Sequence, residues 1–219
     1  MKSDINILIP ARSGSKRILN KNIIDLCGKP LIYYAIKESL KITKNVFVST
    51  DSEEIKVVCQ KYDISIIDRP PELAEDTSST NSVIHHFLQN KEVDRFVLVQ
   101  ATSPLLKAEY LIQGFEKFKT GVYDSIISVY ETKDFYWSKE GTPINFNIKQ
   151  KQRTQDMQSW FVENGAFYIT SRENFTINNN LVNGKVGFVT MPKIDSVDID
   201  EYEDLEIAAA FLKHRESNK

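Results

Sequence analysis

Only two cysteines occur in the 219 residues, Cys27 and Cys59. They form no C-x-x-C pair and lie far apart, so the sequence offers neither a disulfide framework nor a cysteine zinc site. That usage fits a reducing compartment, the cytoplasm. Charge of one sign is not in excess either: 28 Lys and Arg face 30 Asp and Glu, for a net charge of −2. The chain as a whole is therefore not read as a nucleic-acid binder. Long apolar runs are missing, and nothing approaches the roughly 18 residues of a membrane span. The opening MKSDINILIP, interrupted by Asp4, has too short an apolar stretch for a signal peptide. Repeats and low-complexity stretches are absent, as are the G-x-x-x-x-G-K-[ST] and G-x-G-x-x-G phosphate loops. His85 and His86 are adjacent, so on a helix they point about 100° apart and cannot share an ion; one is expected in the core and one on the surface. No Ser-His-Asp or Cys-His set can be assembled.

What remains is a chain with 41% hydrophobic residues, enough for a substantial core. Its length suits one large domain, 1–219, or one domain with an insertion. The first half alternates two periodicities. Apolar runs at 5–9, 45–49, 64–67, 95–99 and 125–130 predict strands. Between them, 30–42, 51–62, 82–88 and 108–118 read as helices, with Asp51 or Ser52 capping the second. This alternation predicts an α/β fold, a mostly parallel sheet with helices on both faces. The pattern breaks over 131–159, a polar stretch with Trp137, Phe146 and many Lys and Gln, read as an insertion or protruding arm. Strands are expected again at 166–170, 186–191 and 196–200, and an amphipathic helix at 203–214. Trp160 and Phe161 read as packing residues.

In open α/β sheets, ligands bind beyond the carboxyl ends of the strands. Those ends carry Arg12-Ser13-Gly14-Ser15-Lys16, Ser49-Thr50-Asp51, Asp68-Arg69, Gln100-Ala101-Thr102-Ser103 and Asp198-Ile199-Asp200. Such a set suits a phosphorylated, metal-chelating ligand with a base to recognise. A Gly/Ser loop lets backbone N–H groups approach phosphate oxygens, and Arg12, Lys16, Arg17 and Lys21 supply opposing charge. Composition alone leaves this loop open between phosphate binding and a solvated basic turn. Its place directly after the first strand points to phosphates. Asp198 and Asp200, at i and i+2, would share one side of a strand, as a Mg²⁺ site needs. Taken alone, the same acids are better explained as the acidic approach to the last helix.

The stretches IPARSGSKRILNKNI, VSTDSEEI, RPPELAEDTSST, VLVQATSPLL, ENGAFYI and SVDIDEYEDLEIA together resemble the N-acylneuraminate cytidylyltransferases, in that family's order and over nearly the whole chain outside 131–150. The resemblance implies a Rossmann-like nucleotidyltransferase fold. It also implies a reaction joining CTP to a nine-carbon 2-keto sugar acid, giving CMP-sugar and pyrophosphate. Carried over, Arg12, Ser15, Lys16, Lys21 and Asn22 grip the nucleotide, with Arg12 and Lys21 as the catalytic cations. Arg69 and the hydroxyls around Ser79 match the cytidine-side segment, and Gln100, Thr102 and Ser103 the sugar-side segment. Arg153 is expected to meet the sugar carboxylate. Asp198 and Asp200 match the family's metal pair, with Mg²⁺ as cofactor, which reverses the reading of those acids on their own. The 131–150 arm matches a dimerisation segment, implying a homodimer. The chain departs from the family at Arg17, Ala101 and Leu106, and in the one-residue offset of Arg153, which leaves the sugar open among sialic-type acids. A Kdo cytidylyltransferase and a non-catalytic nucleotide-binding protein of this fold are the rival expectations.

Overall fold

The structure is a computed structural model, and it describes residues 5–217. The apolar run near the N-terminus forms β1 (Asn6–Pro10). Side chains leave a strand alternately to its two faces, so Ile7 and Ile9 enter one core cluster while Leu8 enters a second. A short hairpin follows, β2 (Asp25–Leu26) with β3 (Lys29–Pro30), turning through Cys27 and Gly28, both at positive φ. The expected helix from residue 30 therefore starts later, as α1 (Ile32–Leu40), because Pro30 is held in this hairpin.

The chain then builds outward from β1 through β4 (Val46–Thr50), α2 (Glu53–Cys59) and β5 (Ser65–Asp68). Ser52 caps α2, accepting from the Ile55 N–H at 3.3 Å. It returns through α3 (Thr80–Asn90) to β6 (Arg95–Val99) on the other side of β1. After α4 (Ala108–Lys119) come β7 (Ser125–Thr132), the arm, β8 (Trp160–Ser171), α5 (Arg172–Asn178), β9 (Val186–Thr190) and α6 (Tyr202–Ser217). The seven strands lie in the order β5-β4-β1-β6-β8-β7-β9. Four pairings are parallel, and the two made by β8 are antiparallel. The mostly parallel expectation holds. Residues of α1, α2 and α4 pack on one face and those of α3 and α5 on the other.

Two expectations change. The 196–200 segment is not a strand: residues 193–196 form a 3-10 turn, and the rest, outside the sheet, is fixed by a bond from the Ile199 N–H to the Thr102 carbonyl at 2.8 Å. The alternation that suggested a strand is real, since Ile199 is buried between exposed Asp198 and Asp200, but a core anchor and not a ladder produces it. The histidines are both half-buried, with His85 Nε2 2.7 Å from Asn179 Oδ1. In the arm, Phe135 and Trp137 each meet the Phe146 ring edge to face, and Lys151 sits 4.3 Å from the Phe135 ring centroid. Trp160 and Phe161 are each a little under half exposed and pack as expected, Trp160 against Tyr136 and Phe161 against Phe188, with ring centroids 6.4 and 5.4 Å apart.

Candidate active site

Strand order reverses direction of growth at β1, since β4 follows on one side and β6 is added later on the other. A crevice opens at such a switch point, beyond the carboxyl ends of the strands. Here it is a cleft of about 390 Å³. Arg12, Ser15, Lys16, Lys21, Asn22, Arg69, Ser79, Gln100, Thr102 and Asp200 all line it, so ten of the residues singled out in the sequence come together. Arg17 lines it too, giving five cationic side chains against the single carboxylate of Asp200.

The loop after β1 is held by its own polar contacts. Gly14 takes φ +67°, a conformation open to glycine at no steric cost. Asp51 accepts the Ser13 N–H at 2.9 Å and also the Ser13 hydroxyl. Burial alone would raise the Asp51 carboxyl, yet these two bonds hold it below its ordinary value. Asn22, buried, donates to the Arg12 carbonyl at 2.9 Å. It shapes the loop from within.

Arg12 and Lys16 converge on Asp76, a residue the sequence reading passed over. Arg12 donates to Asp76 Oδ1 at 2.8 Å and to the Ala74 carbonyl at 3.0 Å, and Lys16 Nζ lies 2.7 Å from Asp76 Oδ2. Lys16 and then Arg12 hold the Asp76 carboxyl low. Ser79 is the cap of α3, accepting from the Ser82 N–H at 3.2 Å, and Ser78 and Thr80 beside it also line the cleft. The positive end of α3 thus faces the same space as the cations, an arrangement suited to anions. Arg69 is buried and donates to Ser49 Oγ at 3.2 Å and to the Ser49 carbonyl at 2.6 Å. Burial brings its guanidinium down to about 10, which still leaves it cationic at neutral pH.

On the opposite wall, Lys21 Nζ donates to the Ile199 carbonyl at 2.7 Å and to Asp200 Oδ1 at 3.1 Å. Arg17 pairs with Asp200 at 3.3 Å and Glu201 at 3.4 Å. Three residues lie outside the cleft. Ser103 is buried beneath it, its hydroxyl without a hydrogen-bond partner. Asp198 borders an adjoining hollow with Tyr130, Tyr168 and Ser196. Its carboxyl is open to solvent on one side, yet titrates above its ordinary value. The protein crowding it is the largest cause, Thr102 donation opposes this, and the nearby Asp200 charge adds to it. Arg153 sits on the arm, paired among the described residues with Asp156 at 2.9 Å and largely exposed.

Two carboxylates two residues apart, next to a phosphate-suited cleft, are a donor set that fits a divalent cation. No group of three or more His, Cys, Asp or Glu able to hold a metal occurs among the described residues, so phosphate oxygens and water would complete the shell.

A family profile described as cytidylyltransferase matches residues 6–216. The chain belongs to the cytidylyltransferase family. It is 33% identical over 208 residues to an N-acylneuraminate cytidylyltransferase of Streptococcus agalactiae, covering 90% of this chain and 50% of that one. It is likewise 33% identical to a pseudaminic acid cytidylyltransferase of Campylobacter jejuni, covering 94% of this chain and 95% of the relative. This family member thus spans about half the length of the first relative and nearly all of the second. Among solved structures, a CMP:2-keto-3-deoxy-manno-octonic acid synthetase complexed with CTP superposes with a TM-score of 0.74 at 15% identity, over 97% of this chain and 100% of that one. That likeness establishes the nucleotidyltransferase fold.

Proposed function

We propose that the protein transfers CMP from CTP to the anomeric hydroxyl of a nonulosonic, sialic-type acid, releasing pyrophosphate. The observation that carries this reading is the single cleft in which the 12–22 cations, the start of α3, Gln100, Thr102 and Asp200 meet. The N-acylneuraminate and pseudaminic acid enzymes among its relatives support the choice of acceptor.

In this reading the anomeric oxygen bonds to the α-phosphorus, the α–β phosphoanhydride bond breaks, pyrophosphate leaves and the hydroxyl proton is released. Charge grows on the phosphate oxygens, so catalysis is placement and electrostatics. Arg12 and Lys16 receive the triphosphate, and Lys21 opposes the charge that builds at its far side. Arg69 and Ser79 bound the cytidine end. Gln100 and Thr102 offer hydrogen bonds to the sugar from the tip of β6. Asp198 and Asp200 would hold Mg²⁺, which supplies Lewis-acid stabilisation of phosphate charge when bound. Asp200→Ala is expected to abolish Mg²⁺-dependent turnover with the fold intact; wild-type rates would remove the assignment.

We place the protein in the cytoplasm, in keeping with its two free thiols. We further read the arm as a homodimer contact. Trp137, Ile144 and Ile148 are about half exposed or more on it, and Arg153 finds no place in its own chain's cleft. In a dimer the arm would carry Arg153 to the neighbouring site, where it would meet the sugar carboxylate.

The test is pyrophosphate release from CTP and Mg²⁺ with N-acetylneuraminate, pseudaminate and Kdo supplied separately. Turnover is expected with a nine-carbon acid. Preference for Kdo would transfer the protein to the eight-carbon reaction. CTP binding with no turnover on any acid would leave only a nucleotide-binding role.

A further inference from the structure

The segment between β9 and α6 carries both metal-pair carboxylates but belongs to no sheet. A few polar anchors set its course, and the most buried is Asp195, at 3% exposure. Three donors from separate places meet this carboxylate. The Tyr110 hydroxyl of α4 donates to Oδ2 at 2.6 Å. Lys107 Nζ, just before α4, lies 2.8 Å from the same oxygen. The Arg215 guanidinium of α6 donates to Oδ1 and, through both terminal nitrogens at 3.1 Å, to the Leu105 carbonyl. Burial alone would raise the Asp195 carboxyl; Lys107, Tyr110 and Arg215 hold it down.

A buried ionic cluster is weak ground for stability, because apolar replacements of the same shape are often as stable or more so. What such a cluster does well is fix one geometry. Here the geometry it fixes leads straight to the carboxylates. Asn164 donates to Ser196 Oγ at 2.8 Å, and the Ile199 N–H donates to the Thr102 carbonyl. The chain from Asp195 to Ile199 is thereby tied at both ends, with Asp198 between the ties. Lys107 also follows closely on the Gln100–Thr102 turn, so the cleft wall and the acidic segment share an anchor.

We propose that Asp195 is a positioning residue, which sets the placement of the Asp198 and Asp200 carboxylates and through it the affinity for the divalent cation. The inference rests on the metal reading of those two residues. Direct hydrogen-bond partners of metal ligands typically change affinity by about 10–100-fold when removed; Asp195 acts one step further back, through the chain, and Asp195→Asn is expected at the lower end, about 10-fold.

The experiment titrates Mn²⁺ alone into the purified full chain, following loss of the free-ion paramagnetic signal, and measures the Mg²⁺ concentration giving half-maximal rate. Asp195→Asn is expected to weaken both together, with the KM for CTP at saturating Mg²⁺ little changed. Tyr110→Phe, lacking one of the three donors, is expected to shift them less in the same direction. Phe175→Leu, in the other core cluster, is expected to lower the melting point with no change in Mn²⁺ affinity. If Asp195→Asn behaves like Phe175→Leu while Asp200→Asn loses Mn²⁺, the positioning role is overturned and the metal site stands. If Asp200→Asn also retains Mn²⁺, the metal reading fails and this inference with it. Should Asp195→Asn not fold, Tyr110→Phe decides by the same two readings.

Discussion

Lys21→Met keeps the length of the side chain and removes its ammonium, which separates the tie that the geometry shows from the catalytic role proposed for the same residue. As a tie across the cleft, Lys21 contributes a charged hydrogen bond to the Ile199 carbonyl and an ion pair with Asp200. The first is worth about 1.5–3 kcal/mol and the second at most about 1 kcal/mol. Together that is a loss of about 1.5–4 kcal/mol, or a melting point about 3–16 °C lower for a chain of this size. As a cation opposing phosphate charge, Lys21 is worth about 10²–10³ in rate, or about 2.7–4 kcal/mol on the barrier. Both effects are expected. The assay is kcat/KM for CTP by pyrophosphate release, well below the melting point of the variant, alongside thermal unfolding. A variant that melts earlier yet turns over within a few-fold of wild type would show that Lys21 is a structural tie only, and the catalytic reasoning would be wrong.

Gly114 sits where α4 crosses the sheet, and an added Cβ would meet Ile169 Cδ1 at 2.9 Å and Phe167 Cε2 at 3.0 Å. Overpacking of about 1–3 kcal/mol outweighs a helix-propensity gain of about 1 kcal/mol, so Gly114→Ala should melt lower; a higher melting point would reverse that ranking. The Asp51 carboxyl lies below its ordinary 3.8, so its stabilisation is complete above pH 3.8 and is lost as pH falls through the lower folded value. Asp51→Asn should therefore lower stability at neutral pH and flatten its acid dependence, measured by urea unfolding at several pH values; an unchanged acid limb would count against the Ser13 bonds as its source. Charging the exposed arm with Ile144→Asp and Ile148→Asp together should convert a dimer to a monomer by light scattering and depress turnover; an unchanged mass and rate would separate the arm from both functions. The Cys59 thiol, pushed up to about 12 by burial, should stay unmodified by a thiol reagent until urea unfolds the chain, and native-state labelling would contradict its placement.

Much of this was written in local pattern. The alternation of apolar runs with helical spacing placed the strands around β1 and β6 within a residue or so, because both are buried on two faces and read as near-continuous apolar runs. The polar residues at their ends followed from that placement. The hairpin at Asp25–Pro30 escaped notice since its strands are two residues each, too short to carry a period. The start of β8 was missed because Trp160–Glu163 pair with β7 while staying largely exposed on their other side. Asp76 was invisible for a different reason. Its partners Arg12 and Lys16 lie sixty or more residues away, and no local spacing encodes that meeting. Arg153 could be read as a functional cation, but nothing within one chain could say that its own cleft lies out of reach.

The Asp76 bridge has a consequence for how a nucleotide arrives. With Arg12 and Lys16 already facing a carboxylate, an entering phosphate does not find bare charge; it exchanges with one anion for another. Attraction at long range is reduced, since Asp76 offsets one of the two charges on Arg12 and Lys16, and the gain on binding is a difference between two ion pairs. Affinity for triphosphate should then fall with salt less steeply than a count of cleft cations suggests. If the proposed reaction runs here, the pyrophosphate it forms would meet a competitor tethered in place to take over its contacts, and release would be built into the same residues that receive the substrate.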